Sequence, residues 1–411
     1  MNEYVKGTIK LQTGEVIEFD TADICGDVTI SSQCVNGSGF SLGAVCAAEM
    51  RATFIISGMN RYAMLGAVIT LERSADMQNW EKCGVYNVTL PSRYYDNISV
   101  TAYDNMIWLD KSAFGTDENE RKINLIAEYL KTQRTIYQAL KYVVEDIGGQ
   151  TLAQSQEEIE AMPNGTISTI VFQDITADCP RDWLSWIAET LGGFAYADSD
   201  GKIAIGQFET LPTATIQNNE IQADTSDIAD FTILLTGVRM SEVWDGSSGS
   251  AWYSERDGKP NSIYIELSDN WIVQGKHYLY GNAMDILISL RDNVIDSIPY
   301  RPFNATVHSD EMYHIGQCIQ IQDMDGNFYS SVITHHSWTL NGGQKIECAG
   351  SDTRLLADTK KRTAIKRESE KLQSKIKLAM GETATEEELS QLESDGHLIE
   401  GMVYYIPPEE V

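Results

Sequence analysis

Residues 300–350, YRPFNATVHSDEMYHIGQCIQIQDMDGNFYSSVITHHSWTLNGGQKIECAG, decide the reading of the fold. Ile319 and Ile321 alternate with Gln320 and Gln322, the period-two signature of a half-buried strand. Asp325-Gly326 marks a two-residue hairpin, because glycine enters positive φ without a Cβ clash. Phe328, Ser330 and Val332 alternate on the return strand. Asn341-Gly342-Gly343 forms the next turn, and Ile346 and Cys348 fall on one face of the last strand. The stretch reads as a meander that builds a sheet rather than an active site.

The same pattern recurs at the start of the chain. Gly7–Leu11 and Glu15–Phe19 flank Thr13-Gly14 as a hairpin. Val28–Ile56 turns at Asn36–Gly39 and ends in the apolar run Phe54-Ile55-Ile56. Ala67–Glu72, Trp80–Val88 and Ile98–Ala102 follow as strands, and a break comes at Tyr103–Lys111. Short strands separated by turns describe a small β barrel or sandwich.

Between the two β-rich parts the periodicity becomes helical. Asn119–Gln133 and Thr135–Ile147 have helical spacing, and Gly148-Gly149 stops the second. A third helix is expected to start with Asp178 as its cap and Pro180 in its first turn. Trp183, Ile187 and Leu191 form its apolar face, and Gly192-Gly193 ends it. Phe194–Asp198 and Lys202–Ile205 then flank a hairpin turn. Residues 211–230 are polar and read as a linker or crossing loop. Thr232–Val243 and Ser262–Leu267 read as strands, Asp245–Asn261 as an exposed, mobile insertion rich in Gly and Ser, and Asn282–Val294 as a helix. After Gly350 the composition shifts to Lys, Arg, Glu and Ala. Thr353–Met380 carries a weak heptad pattern, Thr385–Glu388 is a capping box, and Met402–Ile406 could extend a sheet edge.

Composition narrows the function classes. A chain of 411 residues is long enough for two to four units. Sixty acidic residues against 31 basic leave a formal charge of −29, which argues against affinity for a nucleic-acid backbone or an anionic membrane. The seven cysteines are odd in number and none has CxxC spacing, so reduced, structural thiols made in a cytoplasm are expected. The start, MNEYVKGTIKLQTGE, has no apolar core of a signal peptide. No apolar run of about 18 residues exists to span a membrane.

Candidate chemistry is thin. His314, Cys318, His335 and His336 share one meander, but adjacent His335 and His336 point to opposite faces of a strand, so at most one could join a zinc site. Asp323-Met324-Asp325-Gly326 partly resembles a calcium loop but lacks the further ligands in register, and a hairpin turn suffices to explain it. GxSxG, HExxH and P-loop patterns are absent. Neither a catalytic residue, a metal nor a cofactor is assigned. Trp252 and Tyr253, in the Gly/Ser-rich insertion, are candidate contact aromatics.

Four segments, taken together in order and spacing, resemble one known family. They are Ser31–Phe40 continuing through Leu42–Glu49; Ala102–Lys111; Ile175-Thr176 with Arg181–Phe194 and Asp200–Ile203; and Tyr300–Phe303 with His314–Ile319, Asp325–Asn327, Gly342-Gly343 and Gly350. They cover about 85% of the chain, and as a set are similar to the baseplate hub or tail-tip proteins of bacteriophages and tail-like particles. The family usually has Gly-Asp where this chain has Gly316-Gln317, which puts any role of that acid in doubt.

The resemblance implies an α+β, mainly β fold. It would hold two tube-like β-barrel or sandwich domains, at 1–115 and 223–352, an α+β unit with helices and a hairpin at 116–222, and a helical C-terminal extension at 353–411. It further implies a structural homotrimer that adapts the six-fold tail tube or distal tail protein to a three-fold spike or tip, with the tape-measure protein as a further candidate partner. Such a protein sits at the tail tip and is assembled in the host cytoplasm. DNA would pass without specific binding, and a channel lined by acidic residues would repel its phosphates. The hydrolase or fibre modules of longer family members are not expected here. Interaction residues carried over are Tyr300, Arg301, Phe303, Asp325 and Gly326; Trp252 and Tyr253 join them as the exposed aromatic pair. The alternatives are a virion-borne cell-wall hydrolase and a host-glycan-binding tail protein.

Overall fold

The computed structural model describes residues 3–350 except 38, 57–60, 117–121, 172–176, 224, 230, 245–246, 256–261, 268–269 and 281–282. The expected C-terminal helices and the edge segment Met402–Ile406 lie outside the described residues.

The fold is α+β and mainly β, as expected, but its large sheet is open rather than closed into a barrel. Eleven strands run edge to edge. Seven come from the start of the chain, in spatial order Thr29–Gln33, Glu49–Ile55, Asn97–Tyr103, Glu81–Tyr94, Val68–Ser74, Tyr4–Lys10 and Val16–Asp20. Four come from its end: Asp227–Ile228, Phe303–Val307, Gly343–Cys348 and His335–Thr339. The two sets meet where Thr29–Gln33 pairs antiparallel with His335–Thr339.

Alternation explains the buried face. Ile69 and Leu71, Met50 and Phe54, Ile98 and Ala102, and Val5 and Ile9 all point inward and are fully buried. Phe19 and Phe54 meet edge to face with centroids 5.0 Å apart. Gly7 is the concession that lets Phe19 lie there: a Cβ on it would meet Thr70 O at 2.0 Å and the Phe19 ring at 2.7 Å.

The opening stretch does form two hairpins, but they enter different sheets. His335–Thr339 and Gly343–Cys348 join the large sheet. Cys318–Gln322 and Phe328–Val332 pair with Ala214–Ile216 in a three-stranded sheet instead. The chain changes sheet at Ile333-Thr334, where the Thr334 hydroxyl donates to Glu347 O at 3.1 Å and accepts from Ala349 N at 2.7 Å. Ile319, Ile321 and Val332 belong to one buried cluster with Phe303, Ala305 and Ile346.

Helices fill the centre of the chain. Leu125–Leu130 is shorter than expected, because Asn124 caps it and Lys122–Asn124 is a strand. Thr135 and Gln138 make a capping box for Ile136–Lys141, which continues as a π-helical turn over Tyr142–Ile147. Pro180–Thr190 and its C-cap Leu191 bury Trp183, Ile187 and Leu191 as spaced. Its cap position is Cys179, not Asp178: the Asp182 carboxylate reaches back to accept from both Asp178 N and Cys179 N. Phe194–Ala197 and Ile203–Gly206 form the expected hairpin, with Gly201 at φ +77°.

Three readings are corrected. The polar 211–230 stretch contributes strands Ala214–Ile216 and Asp227–Ile228. The Gly/Ser-rich insertion contains a strand, Ser247–Glu255, paired with Leu234–Trp244. Helix Trp271–Tyr280 had no counterpart in the sequence reading; Asn270 nucleates it by accepting from Ile272 N and Val273 N. Among the described residues no helix is long and apolar enough to cross a membrane. All seven cysteines are free thiols.

Candidate assembly surfaces

The join between the two strand sets is cross-linked by buried polar chemistry. Ser31 and Ser337 hydroxyls share a hydrogen bond of 2.9 Å across the seam. On the opposite face Trp338, fully buried, inserts into the core of the first set. Its indole N–H donates to Glu3 Oε1 at 3.0 Å, and Glu3 Oε2 accepts from Asn341 N at 2.8 Å. Glu3 lies 3.4 Å from Arg73, and both are more than nine-tenths buried. Arg73 also donates to Glu81 and to Asp310 O. An extended N-terminus thus clasps the turn of the last hairpin. A charge pair this buried is costly to break from one side, because the remaining partner is stranded without water.

The outward face of the sheet is polar and nearly neutral. Register places Thr29, Ser31, Thr53, Ser99, Thr101, Ser337 and Thr339 on that face. Five basic residues share it (Lys6, Lys10, Arg51, Lys82, Lys345) with six acidic ones (Glu18, Asp20, Glu49, Glu72, Asp227, Glu347). Several neutralise each other directly: Lys6–Glu72 at 3.3 Å, Arg51–Glu49 at 2.6 Å and Lys345–Glu347 at 4.0 Å. Burial keeps His335 below the usual histidine range and so uncharged at neutral pH. The chain's acidic excess therefore lies mostly elsewhere than on this face.

The residues carried over by resemblance divide into structure and surface. Tyr300 is buried and its hydroxyl donates to Ala349 O at 2.5 Å; Phe303 is likewise buried. Arg301 binds Ala229 O at 2.7 Å and stacks on Tyr329 with its guanidinium carbon 3.7 Å from the ring centroid. Asp325 and Gly326 sit at the tip of the 318–332 hairpin. The side chain that shapes this turn is Asp323, whose Oδ1 accepts from Asp325 N and Asn327 N. The hydrogen bond that the Asn327 side chain donates to Asp323, together with these backbone ones, holds Asp323 below the usual carboxylate range. Arg301, Asp325 and Tyr329 line a surface cleft of about 450 Å³ beside the sheet-edge strand Asp227–Ile228. Trp252 and Tyr253 belong to strand Ser247–Glu255, opposite Met240 and Arg239, and their side chains lie outside the described residues.

Two features went unread in the sequence. One is the Glu3–Arg73–Trp338 clasp, which joins residues more than 330 positions apart and leaves no local signal. The other is the tip of the Glu81–Tyr94 and Asn97–Tyr103 hairpin, where Leu90, Tyr94 and Tyr95 are 68%, 75% and 79% exposed. Tyr94 and Tyr95 meet edge to face at 4.7 Å. Apolar surface clustered at an exposed hairpin end is a mark of an interaction site. Among the described residues the sheet also ends in two edges without a further strand, Val16–Asp20 and Asp227–Ile228. Among the described residues no group of three or more His, Cys, Asp or Glu side chains could hold a metal ion.

Comparison with known proteins yields structural matches only. No protein-family model matches the chain, and no curated protein matches it in sequence. Prophage tail protein gp18 from Listeria monocytogenes matches with a TM-score of 0.51 at 9% identity, covering 89% of this chain and all of that one. The 43 kDa tail protein of prophage MuSo2 from Shewanella oneidensis matches with a TM-score of 0.48 at 12% identity, covering 83% of this chain and 97% of that one. A tail protein from Neisseria meningitidis gives 0.48 at 12%, covering 84% and 95%. At these identities the likeness is one of fold, and at that level the chain resembles a prophage tail protein.

Proposed function

We propose that this protein is a structural hub of a phage tail or tail-like particle. In this reading three copies assemble, and the sheet-bearing parts 1–115 and 223–352 of each copy act as two tube-like units. Three chains then offer six similar faces to a six-fold tube or distal tail protein on one side, and a three-fold platform for a spike or tip on the other. The unit 116–222 stands outside this ring.

One observation carries the reading: two strand sets far apart in sequence fuse edge to edge into one 11-stranded open sheet with a buried face, a polar face and, among the described residues, an edge at each end with no further strand. A sheet of this kind can be continued by a neighbour at either end. The polar face suits a channel wall. It offers hydroxyls and internally paired charges, so a passing polyanion finds no cation array from which counterion release could supply affinity. Nucleic acid therefore passes without being held.

Light scattering on the purified protein, alone and mixed with its tube protein, tests the proposal. A trimer that co-elutes with tube protein is expected. A monomer at micromolar concentration that ignores tube protein overturns it. Clearing of cell-wall substrate in a zymogram would instead favour the hydrolase alternative.

A further inference from the structure

A cavity of about 590 Å³ lies behind the large sheet, walled by its inner face, by the Phe194–Ala197 hairpin and by residues 312–315. Aromatic rings of Phe194, Tyr196 and Tyr313 line it. Its charged lining is one-sided: Asp104, Asp198 and Glu209 face it, and no Lys or Arg does. The basic side chain His314 is held 3.6 Å from Glu209. Asp104 is 5% exposed and has no cationic partner within 4.0 Å among the described residues. Among the described residues its oxygens accept only from Ala48 N at 2.8 Å and Met106 N at 2.9 Å. Arg181, whose charge acts on it, is committed to Asp110 and Met106 O.

His336 adds an independent observation. It is 6% exposed and lines the same cavity. Gln344 donates its amide N–H to Glu311 O at 2.6 Å, so its Oε1, 3.0 Å from His336 Nε2, must accept from that nitrogen. The proton therefore sits on Nε2. Nδ1 is left as an unprotonated acceptor with no partner among the described residues. Burial pushes this imidazole down to about 4, so it brings no positive charge.

We infer that this cavity is a binding site for an organic cation, a primary ammonium or guanidinium group on an alkyl stem. The stem would lie among the aromatic rings, and the cationic N–H groups would meet the lone pairs of Asp104 and His336 Nδ1. Such a guest supplies the donors and the positive charge that the buried carboxylate and imidazole lack. Ser32, Cys46 and His336 also line an adjoining cleft of about 480 Å³ on the polar face of the sheet. The site thus lies against the surface along which nucleic acid and its accompanying cations would move. The inference itself requires no channel.

Two sources present this chemistry: a free linear polyamine, or a basic side chain of a neighbouring protein. Calorimetric titration of the full chain in 0.3 M salt, with spermidine and separately with acetyl-Gly-Arg-Gly-amide, distinguishes them. One-to-one binding of either probe is expected, weakened at least tenfold by Asp104→Asn and by Tyr196→Ala, and unchanged by the surface control Glu18→Gln. Preference for spermidine assigns a free amine, and preference for the peptide assigns a partner's side chain. Binding that vanishes in 0.3 M salt, or that Glu18→Gln weakens as much as Asp104→Asn, is attraction to an acidic surface and overturns the inference. So does the absence of binding by both probes. Near-native circular dichroism of Tyr196→Ala guards against mistaking misfolding for loss of the site.

Discussion

The two strand sets of the large sheet are built by opposite means. The first, from Tyr4 to Tyr103, is assembled mostly from neighbours in sequence: hairpins and short crossings place seven strands in one layer. The second draws its strands from Asp227 to Cys348 and sends its two final hairpins into different sheets. Local alternation serves both sets equally. It specifies which residues of a strand face inward but is silent on which sheet the strand enters. Only long-range contacts decide that, and the seam is made of nothing else, since its strands are about 300 residues apart.

The seam is accordingly where the comparison breaks most easily. Trp338→Ala should cost about 3–5 kcal/mol, since a fully buried indole and its bond to Glu3 are lost together. Urea unfolding measures this, and a loss below about 1 kcal/mol would mean that the first set holds its core alone. Arg73→Met, which strands Glu3, should cost about 3 kcal/mol. The double variant Arg73→Met/Glu3→Gln should recover part of that loss, and a double-mutant cycle measures the coupling.

Two buried groups near the seam titrate in opposite senses and sharpen the comparison next. Burial pushes the Asp104 carboxyl up to about 7, so the folded state binds a proton that the unfolded state has released above about pH 4; this stability is lost as pH rises toward 7. Burial pushes His336 down to about 4, so the unfolded state binds a proton that the folded state refuses; here stability grows from about pH 4 to 6.5. From these two groups wild type should be nearly level between pH 4 and 6.5 and then fall. Asp104→Asn should rise over that window by up to about 1.4 kcal/mol per pH unit. Melts at five pH values would decide this, and a variant profile parallel to wild type would refute it.

The smallest effect on stability is expected at the hairpin tip. Leu90→Ser with Tyr94→Ser and Tyr95→Ser should move stability by no more than about 0.5 kcal/mol per site, because these side chains are already in water. The same triple change should abolish co-elution with a tail partner if the tip is a contact. Unaltered assembly would return the tip to ordinary surface.

Much of this was legible from residues. Period-two alternation found most strands, Asn341–Gly343 and Asp325-Gly326 marked real turns, though the latter belongs to a longer loop over 323–327 rather than a two-residue one, and Trp183, Ile187 and Leu191 were recognised as one helix face. Boundaries failed where a side chain several positions away took over a cap, as Asp182 does for Asp178 and Cys179. Strand Ser247–Glu255 was missed because glycine and serine lower intrinsic strand preference, which pairing with Leu234–Trp244 overrides. Of the carried-over residues, Tyr300 and Phe303 serve the core, and only Arg301, Asp325 and Gly326 reach a surface feature in the described structure. The Glu3 clasp had no signature, because an acidic residue near an N-terminus ordinarily reads as solvated.

The seam also has a history in time. Ser31 and its partner Ser337 are 306 residues apart. At a synthesis rate of roughly 5–20 residues per second, the strand Thr29–Gln33 waits roughly 15–60 s after emerging before its mate exists. During that interval its backbone hydrogen-bonding groups face open solvent on one side, in a crowded cell full of other nascent edges. Its side chains are Thr, Ser and Gln around a single Ile, a composition that gives a stray strand little apolar surface to hold while the rest of the chain is made.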